Sequence, residues 1–302
     1  MMTNEQYSPM LQGTGSNKFT QVNTRSMLPE TNTATGTAVV ILDESWEMKI
    51  EGYDSSKCIR TSTHKLLNAA IIALTKNNKY RDSSNIKQEV FIHLEDFMKD
   101  CGIPITKPSK DKTRQRVKED LNTLFSCCLS RKEKKGKKTS DFRDIRLIQS
   151  KGLKNNVIEF EFSHKFAKYL IGSYVMQFPK ELLCVNERNP SSFILGQKLA
   201  LYHNINSGKQ GKSCMHVISV KALLAECKQT IPSYETVMSS DRCTKDRIRK
   251  PFEDALNDLE FIVWEYLTPE RNPISKEDIN SLKFTDYLKL FVQYAYKESL
   301  LS

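Results

Sequence analysis

The sequence predicts an α+β protein made of two tandem winged helix-turn-helix domains behind a disordered N-terminal tail. Three observations predict it. The order helix, strand-helix, helix, two strands occurs twice along the chain. Each copy contains a basic amphipathic segment, "DKTRQRVKEDLNTLFSCCL" (Asp111–Leu129) in one and "CTKDRIRKPFEDALNDLEFIVW" (Cys243–Trp264) in the other. The positive charge is also unevenly placed. Residues 61–140 hold 18 basic and 9 acidic side chains, in a chain of net charge +10.

The elements follow in order. The first 37 residues are rich in Thr, Asn, Ser and Gln. Such a segment buries too little apolar surface to offset its ordering entropy, so a disordered tail is expected. "AVVILDESWEMKI" (38–50) reads as one or two strands, because Trp46, Met48 and Ile50 alternate. The tail is drawn over residues 1–56 and the first winged-helix domain over 57–180. "THKLLNAAIIALTK" (63–76) places Leu66, Leu67, Ala70, Ile71 and Leu74 on one helical face. "EVFIHLEDFMKDCG" (89–102) reads as a short strand running into a helix closed by Gly102. The first basic helix comes next. Two strands, "FRDIRLIQS" (142–150) and "VIEFEFS" (157–163), follow it, with "KGLKNN" between them as the turn.

A linker is expected over 181–192, and the second winged-helix domain over 193–302. "FILGQKLALYHNI" (193–205) reads as a helix and "MHVISVKALLAEC" (215–227) as a strand into a helix. Phe91–Cys101 lies over Val217–Cys227 at an offset of 126, whereas the two basic helices are offset by 135. A nine-residue insertion around "TIPSYETVMS" accounts for the difference. "FIVWEYL" (261–267) and "SLKFTDYLKLFV" (281–292) read as a strand pair with a long connection. This order, twice over, is that of a winged helix-turn-helix domain.

Winding the basic helices at about 100° per residue gives each a narrow apolar stripe. In the first it holds Thr113, Val117, Leu121, Leu124 and Cys128; in the second, Ile248, Phe252, Leu256, Leu259 and Val263. The first presents Lys112, Gln115, Arg116 and Glu119 on the opposite face, and the second Arg247, Lys250 and Asp254. Arg114 and Arg249 lie nearer the stripe, close to the N-terminal ends, and Lys245 precedes Arg247 by two. The N-terminal end of a recognition helix meets base edges. Arg forks onto guanine and Gln onto adenine, while Lys mostly contacts phosphate. The plain alternative for either helix alone is a solvated charged face. "RKEKKGKK" adds Arg131, Lys132, Lys134, Lys135, Lys137 and Lys138 against one Glu. Such a run is usually a flexible solvated segment and also suits nuclear localisation. Beside a recognition helix it fits a clamp on the phosphate backbone. Double-stranded DNA is the partner this charge favours.

His64, His93, His164, His203 and His216 form neither a His-x-His nor an H-E-x-x-H pattern. "NSGKQGKS" (206–213) ends like a phosphate loop but has Asn206 where the first Gly is needed. The eight Cys form no C-x-x-C pair, which suits reduced thiols in the cytoplasm. No catalytic residue, metal or cofactor is assigned. No apolar run approaches the roughly 20 residues of a membrane helix, and no secretory signal is visible.

Four stretches, "THKLLNAAIIALT", "VFIHLEDFMKDCG", "VIEFEFSHKFAKYLIG" and "SSFILGQKLALYHNI", make residues 60–295 resemble the iteron-binding plasmid replication initiators. That family has two tandem winged-helix domains. The resemblance implies sequence-specific binding to direct repeats at a replication origin, recruitment of host replication proteins and no catalysis by the chain. It also implies self-association through the first domain and major-groove readout strongest in the second. Here the second domain is nearly neutral, with 15 basic and 14 acidic residues over 191–302. The alternatives are a transcriptional regulator on the same fold, or a nuclease or primase without a visible signature.

Overall fold

The computed structural model describes residues 7–12, 30–32, 37–41, 46–52, 60–78, 85–131, 144–172, 174–207, 216–227, 230–238 and 243–297. The chain divides into two compact units, Ser8–Met176 and Gln177–Ser302 with Met1–Tyr7. Most of the expected tail lies outside the described residues. Within it the backbone forms strands β1 (Tyr7–Gln12), β2 (Glu30–Asn32), β3 (Thr37–Ile41) and β4 (Trp46–Ile50).

In the unit Ser8–Met176, α1 (Thr61–Asn77) buries Leu66, Leu67, Ala70, Ile71 and Leu74, the face read from sequence. Asn78 ends it: its Nδ2 donates to Leu74 O at 2.8 Å and Lys87 O at 2.9 Å, and its Oδ1 accepts from Lys87 N at 2.8 Å. β5 (Glu89–His93) runs straight into α2 (Leu94–Asp100). Gly102 closes α2 at φ 66°, while Gly102 N donates to Lys99 O and Ile103 N to Met98 O. That bond pair is a Schellman motif, which wants Gly at the left-handed position.

The basic helix α3 spans Lys107–Phe125. Thr106 caps it by accepting from Ser109 N, and Pro108 sits in its first turn, where no backbone donor is needed. Thr113, Val117, Leu121 and Leu124 are buried as expected. Cys128 is buried too, yet it is not helical. β6 (Cys127–Arg131) pairs with β4, and β7 (Asp144–Arg146) with β6, giving an antiparallel sheet in the order β2-β3-β4-β6-β7. Pairing with Trp46–Ile50, distant in sequence, overrides continuation of the helix.

β8 (Ile148–Lys154) and β9 (Val157–Phe162) form the wing, in a three-stranded sheet ordered β5-β9-β8. The wing turn is shorter than "KGLKNN": only Asn155 (φ 50°) and Asn156 (φ 61°) lie between the strands. Two successive left-handed residues are what a type I′ hairpin turn requires, and Asn tolerates that conformation. Val90, Ile158, Phe160 and Phe162 line the core side of the sheet. α4 (His164–Gly172) and β10 (Tyr174–Pro179) follow.

The second unit repeats the plan. After a 3₁₀ turn (Lys180–Cys184), α5 (Pro190–Ser207) buries Phe193, Ile194, Leu195, Leu199 and Ala200. β11 (Val217–Ser219) leads into α6 (Val220–Glu226), capped by Ser219. The insertion forms α7 (Tyr234–Met238). The basic segment opens as a π-turn (Lys245–Arg249) and continues as α8 (Lys250–Asn257). Pro251 explains the π-turn. It has no N–H to give Arg247 O, and Lys250 N reaches back five residues to Lys245 O.

β12 (Ile262–Leu267) and β13 (Phe291–Tyr296) pair antiparallel, and the sheet order is β11-β13-β12, the counterpart of β5-β9-β8. Two sequence expectations need correcting here. Ser281–Leu290 is not strand: α9 (Lys276–Ser281) and α10 (Phe284–Tyr287) lie in the connection. Val263 belongs to β12, not to the helix stripe, and is exposed. Ile248, Phe252, Leu256 and Leu259 are buried as read.

Each unit latches the start of its first helix to its third. Thr63 Oγ1 donates to the buried Asp120 of α3 at 2.6 Å. Ser192 Oγ and Asn189 Nδ2 both donate to Asp258, at the end of α8, at 2.9 Å.

Candidate nucleic-acid interface

The buried stripe of α3 leaves its other face to solvent. Lys112 and Gln115 are exposed, and Arg114 and Arg116 half-buried. The Lys112 side chain makes no hydrogen bond or ion pair among the described residues, so its charge is available to a ligand. Arg114 is committed to the wing: its Nη2 donates to Asn156 Oδ1 in the hairpin turn. Recognition helix and wing tip are thereby joined.

Gln115 is also engaged, because its Nε2 donates to Glu119 Oε1 at 3.3 Å. Glu119 accepts in turn from Arg60 Nη1 at 2.8 Å. The Arg60 hydrogen bond holds the Glu119 carboxyl below the usual carboxylate range, with Gln115 and Arg116 adding to the effect. One N–H of the Gln115 amide is thus occupied, while its second N–H and Oε1 make no hydrogen bond among the described residues.

Lys107 and Lys118 are further exposed cations on α3, and Lys154 stands exposed at the end of β8. The sequence reading did not include them. Their signal was present, since all three lie on the recognition helix or the wing. Lys151 is less free: its Nζ donates to Asn122 and lies 4.8 Å from the centre of the Phe125 ring. Arg131 belongs by backbone to β6. Lys132, Lys134, Lys135, Lys137 and Lys138 lie outside the described residues.

In the second unit Lys245 and Arg247 are exposed on the π-turn, and Lys250 on the first turn of α8. None of the three side chains has a hydrogen-bond or ion-pair partner among the described residues. Asp246 and Asp254 share this surface, which keeps its net charge small.

Arg249 corrects the sequence reading. It is 4% exposed and cannot meet DNA. Its guanidinium donates through Nη1 to Ile279 O and through Nη2 to Leu282 O at 2.5 Å. It lies over the Tyr287 ring, 4.7 Å from the centroid. An ordinary helical wheel already sets it beside the buried stripe; its side chain turns inward to these carbonyls instead of reaching outward.

Among the described residues, no three His, Cys, Asp or Glu side chains gather as a metal site. No helix of these residues is long and apolar enough to cross a membrane.

Comparison with known proteins bears on this architecture. Residues 47–181 match the family model described as Initiator Replication protein, WH1. No curated protein matches the chain. Among solved structures, RctB domains 2-3 (RctB-155-483) align at 10% identity over 94% of this chain and 98% of that one, with a TM-score of 0.49. A selenomethionine derivative of RctB domains 2 and 3 aligns at 12% identity over 93% and 98%, with a TM-score of 0.48. Over residues 47–181, the first winged-helix unit with its leading strand, the chain is similar to the WH1 domain of initiator replication proteins.

Proposed function

We propose that the chain initiates replication of a plasmid or related mobile element by binding double-stranded DNA at origin repeats. One observation carries this reading. Two units of the same strand order, β5-β9-β8 and β11-β13-β12, each expose basic side chains on the N-terminal part of the third helix. That part of a helix-turn-helix module enters the major groove. Lys112 and Arg116 in one unit, and Lys245, Arg247 and Lys250 in the other, are the side chains assigned to it. Arg131 and the lysines that follow it supply phosphate contacts.

Two reading heads on one polypeptide occupy an asymmetric site without a partner copy. Direct repeats suit this better than a palindrome, and tethering raises the effective concentration of the second head once the first has bound. The chain's own contribution is recognition and local deformation of DNA. Recruited host proteins carry out synthesis, and a further copy can join through the first unit.

Selection of duplexes from a random pool by the full-length chain tests the reading. Enrichment of one asymmetric sequence, found again as direct repeats beside the gene, is expected. A lone palindrome in a promoter favours a transcriptional regulator on the same fold. No enrichment, or metal-dependent cleavage of supercoiled DNA, contradicts the proposal.

A further inference from the structure

The second unit departs from the first in two places, and the two departures pack on each other. One is the insertion that forms α7, between the second and third helices. The other is the connection carrying α9 and α10, which stands where the first unit has a two-residue wing turn. Tyr234 of α7 stacks flat on Phe284 of α10, with ring centres 4.7 Å apart and planes 4° from parallel. Phe284 adjoins Tyr287 at 5.9 Å. Arg249 lies over the Tyr287 ring and donates to the carbonyls of Ile279 and Leu282. Those carbonyls close α9, where a helix end leaves acceptors unsatisfied. Tyr287 OH meets Tyr266 OH at 2.8 Å, and Tyr266 OH donates to Glu253 Oε1 of α8 at 3.3 Å. A continuous set of contacts thus runs from α7 through α10 and α9 to the π-turn, and back to α8.

A buried guanidinium is a costly way to fill this space. Arg249 has no ion-pair partner among the described residues, and its Nε is buried without an acceptor. An apolar side chain of similar volume would pack there at lower desolvation cost. What Arg adds is direction: two hydrogen bonds in a fixed fork, tied to the end of the π-turn. Turns of this kind recur at functional sites.

We propose that Arg249, Tyr287 and the Tyr234–Phe284 stack are positioning residues for the second unit. They hold the π-turn in the register that directs Lys245, Arg247 and Lys250 outward together. The inference rests on the DNA-binding reading above. It also gives the two insertions one shared purpose, as a brace on the recognition helix.

The test uses the full-length chain and two duplexes of equal length: the sequence that the unaltered chain selects from a random pool, and a scrambled one. Dissociation constants for both are measured for the unaltered chain, R249K, F284L and Y234A. The expected result is a fall of about tenfold in the selected-to-scrambled affinity ratio, the scale of one lost base contact. Affinity for the scrambled duplex and its salt dependence should not change. A purely structural role would lower the fraction of active protein, weakening both duplexes equally and leaving the ratio intact. Should R249K not fold, F284L and Y234A at the half-exposed stack decide the matter. An unchanged ratio in these folded variants overturns the brace and leaves the DNA-binding reading standing. Failure of the unaltered chain to select any sequence overturns that reading, and the brace with it.

Discussion

Arg247 and Lys250 are the side chains on which the DNA-binding account makes its sharpest residue-level claim. Both side chains are exposed and make no hydrogen bond or ion pair among the described residues. Replacing either with Ala should cost about 1–3 kcal/mol on the selected duplex and much less on a scrambled one, as competition gel shifts would show. Equal losses on both duplexes would demote them to phosphate contacts. Arg249 shows where sequence reasoning stopped. A wheel of constant pitch sets it beside the stripe but cannot foresee the Ile279 and Leu282 carbonyls that draw its guanidinium inward. Gln115 and Arg114 were placed on the right helix, but their bonds to Glu119 and Asn156 depend on tertiary neighbours that no local pattern encodes. His64 supplies a second residue-scale test. It is fully buried, and desolvation pushes its pKa down to about 3. An unfolded His titrates near 6.5, so between about 6.5 and 3 the unfolded chain binds the extra proton. Stability is therefore complete above about pH 6.5 and falls as the pH drops through that window. Urea midpoints should decline from pH 7.5 to pH 5, and less steeply in H64Q. Parallel declines in the two proteins would show that His64 stays neutral for another reason or carries no such linkage.

Elements were more legible than their ends. The first helix of each unit, both strand-helix steps and the buried stripes of the third helices could be read from apolar spacing, because burial on one face dictates that spacing. What escaped was decided by distant pairing or by insertion. Cys127–Arg131 became a strand because Trp46–Ile50 offered a partner edge. Ser281–Leu290 turned from strand to a helix end and a short helix because Ser275 caps α9, and Phe284 and Tyr287 meet one turn apart on α10. At this scale the basic segment from Arg131 to Lys138 can be tested as one piece. Neutralising its six cations together should weaken binding to all duplexes about equally. The slope of log K against log salt should fall by several units, since each lost phosphate contact removes about 0.9. An unchanged slope would show that the segment does not touch DNA.

The whole molecule is a duplicated plan put to unequal use. The first unit carries the stretch that matches the WH1 model of initiator replication proteins, and most of the excess charge. The second is nearly neutral, and its third helix is braced by insertions the first unit lacks. On the proposed reading both units meet DNA, the first with the greater electrostatic hold, and both are required for a full site. Hydroxyl-radical footprinting of the full-length chain on its selected duplex tests that claim most directly. Three proteins should be compared: the unaltered chain, one with Lys112, Arg114, Gln115 and Arg116 changed to Ala, and one with Lys245, Arg247 and Lys250 changed to Ala. The account predicts two stretches of protection for the unaltered chain, about one helical turn apart. Each altered protein should lose one stretch and keep the other, a different one in each case. A footprint that stays whole in either variant, or vanishes entirely in both, would contradict two reading heads on one chain.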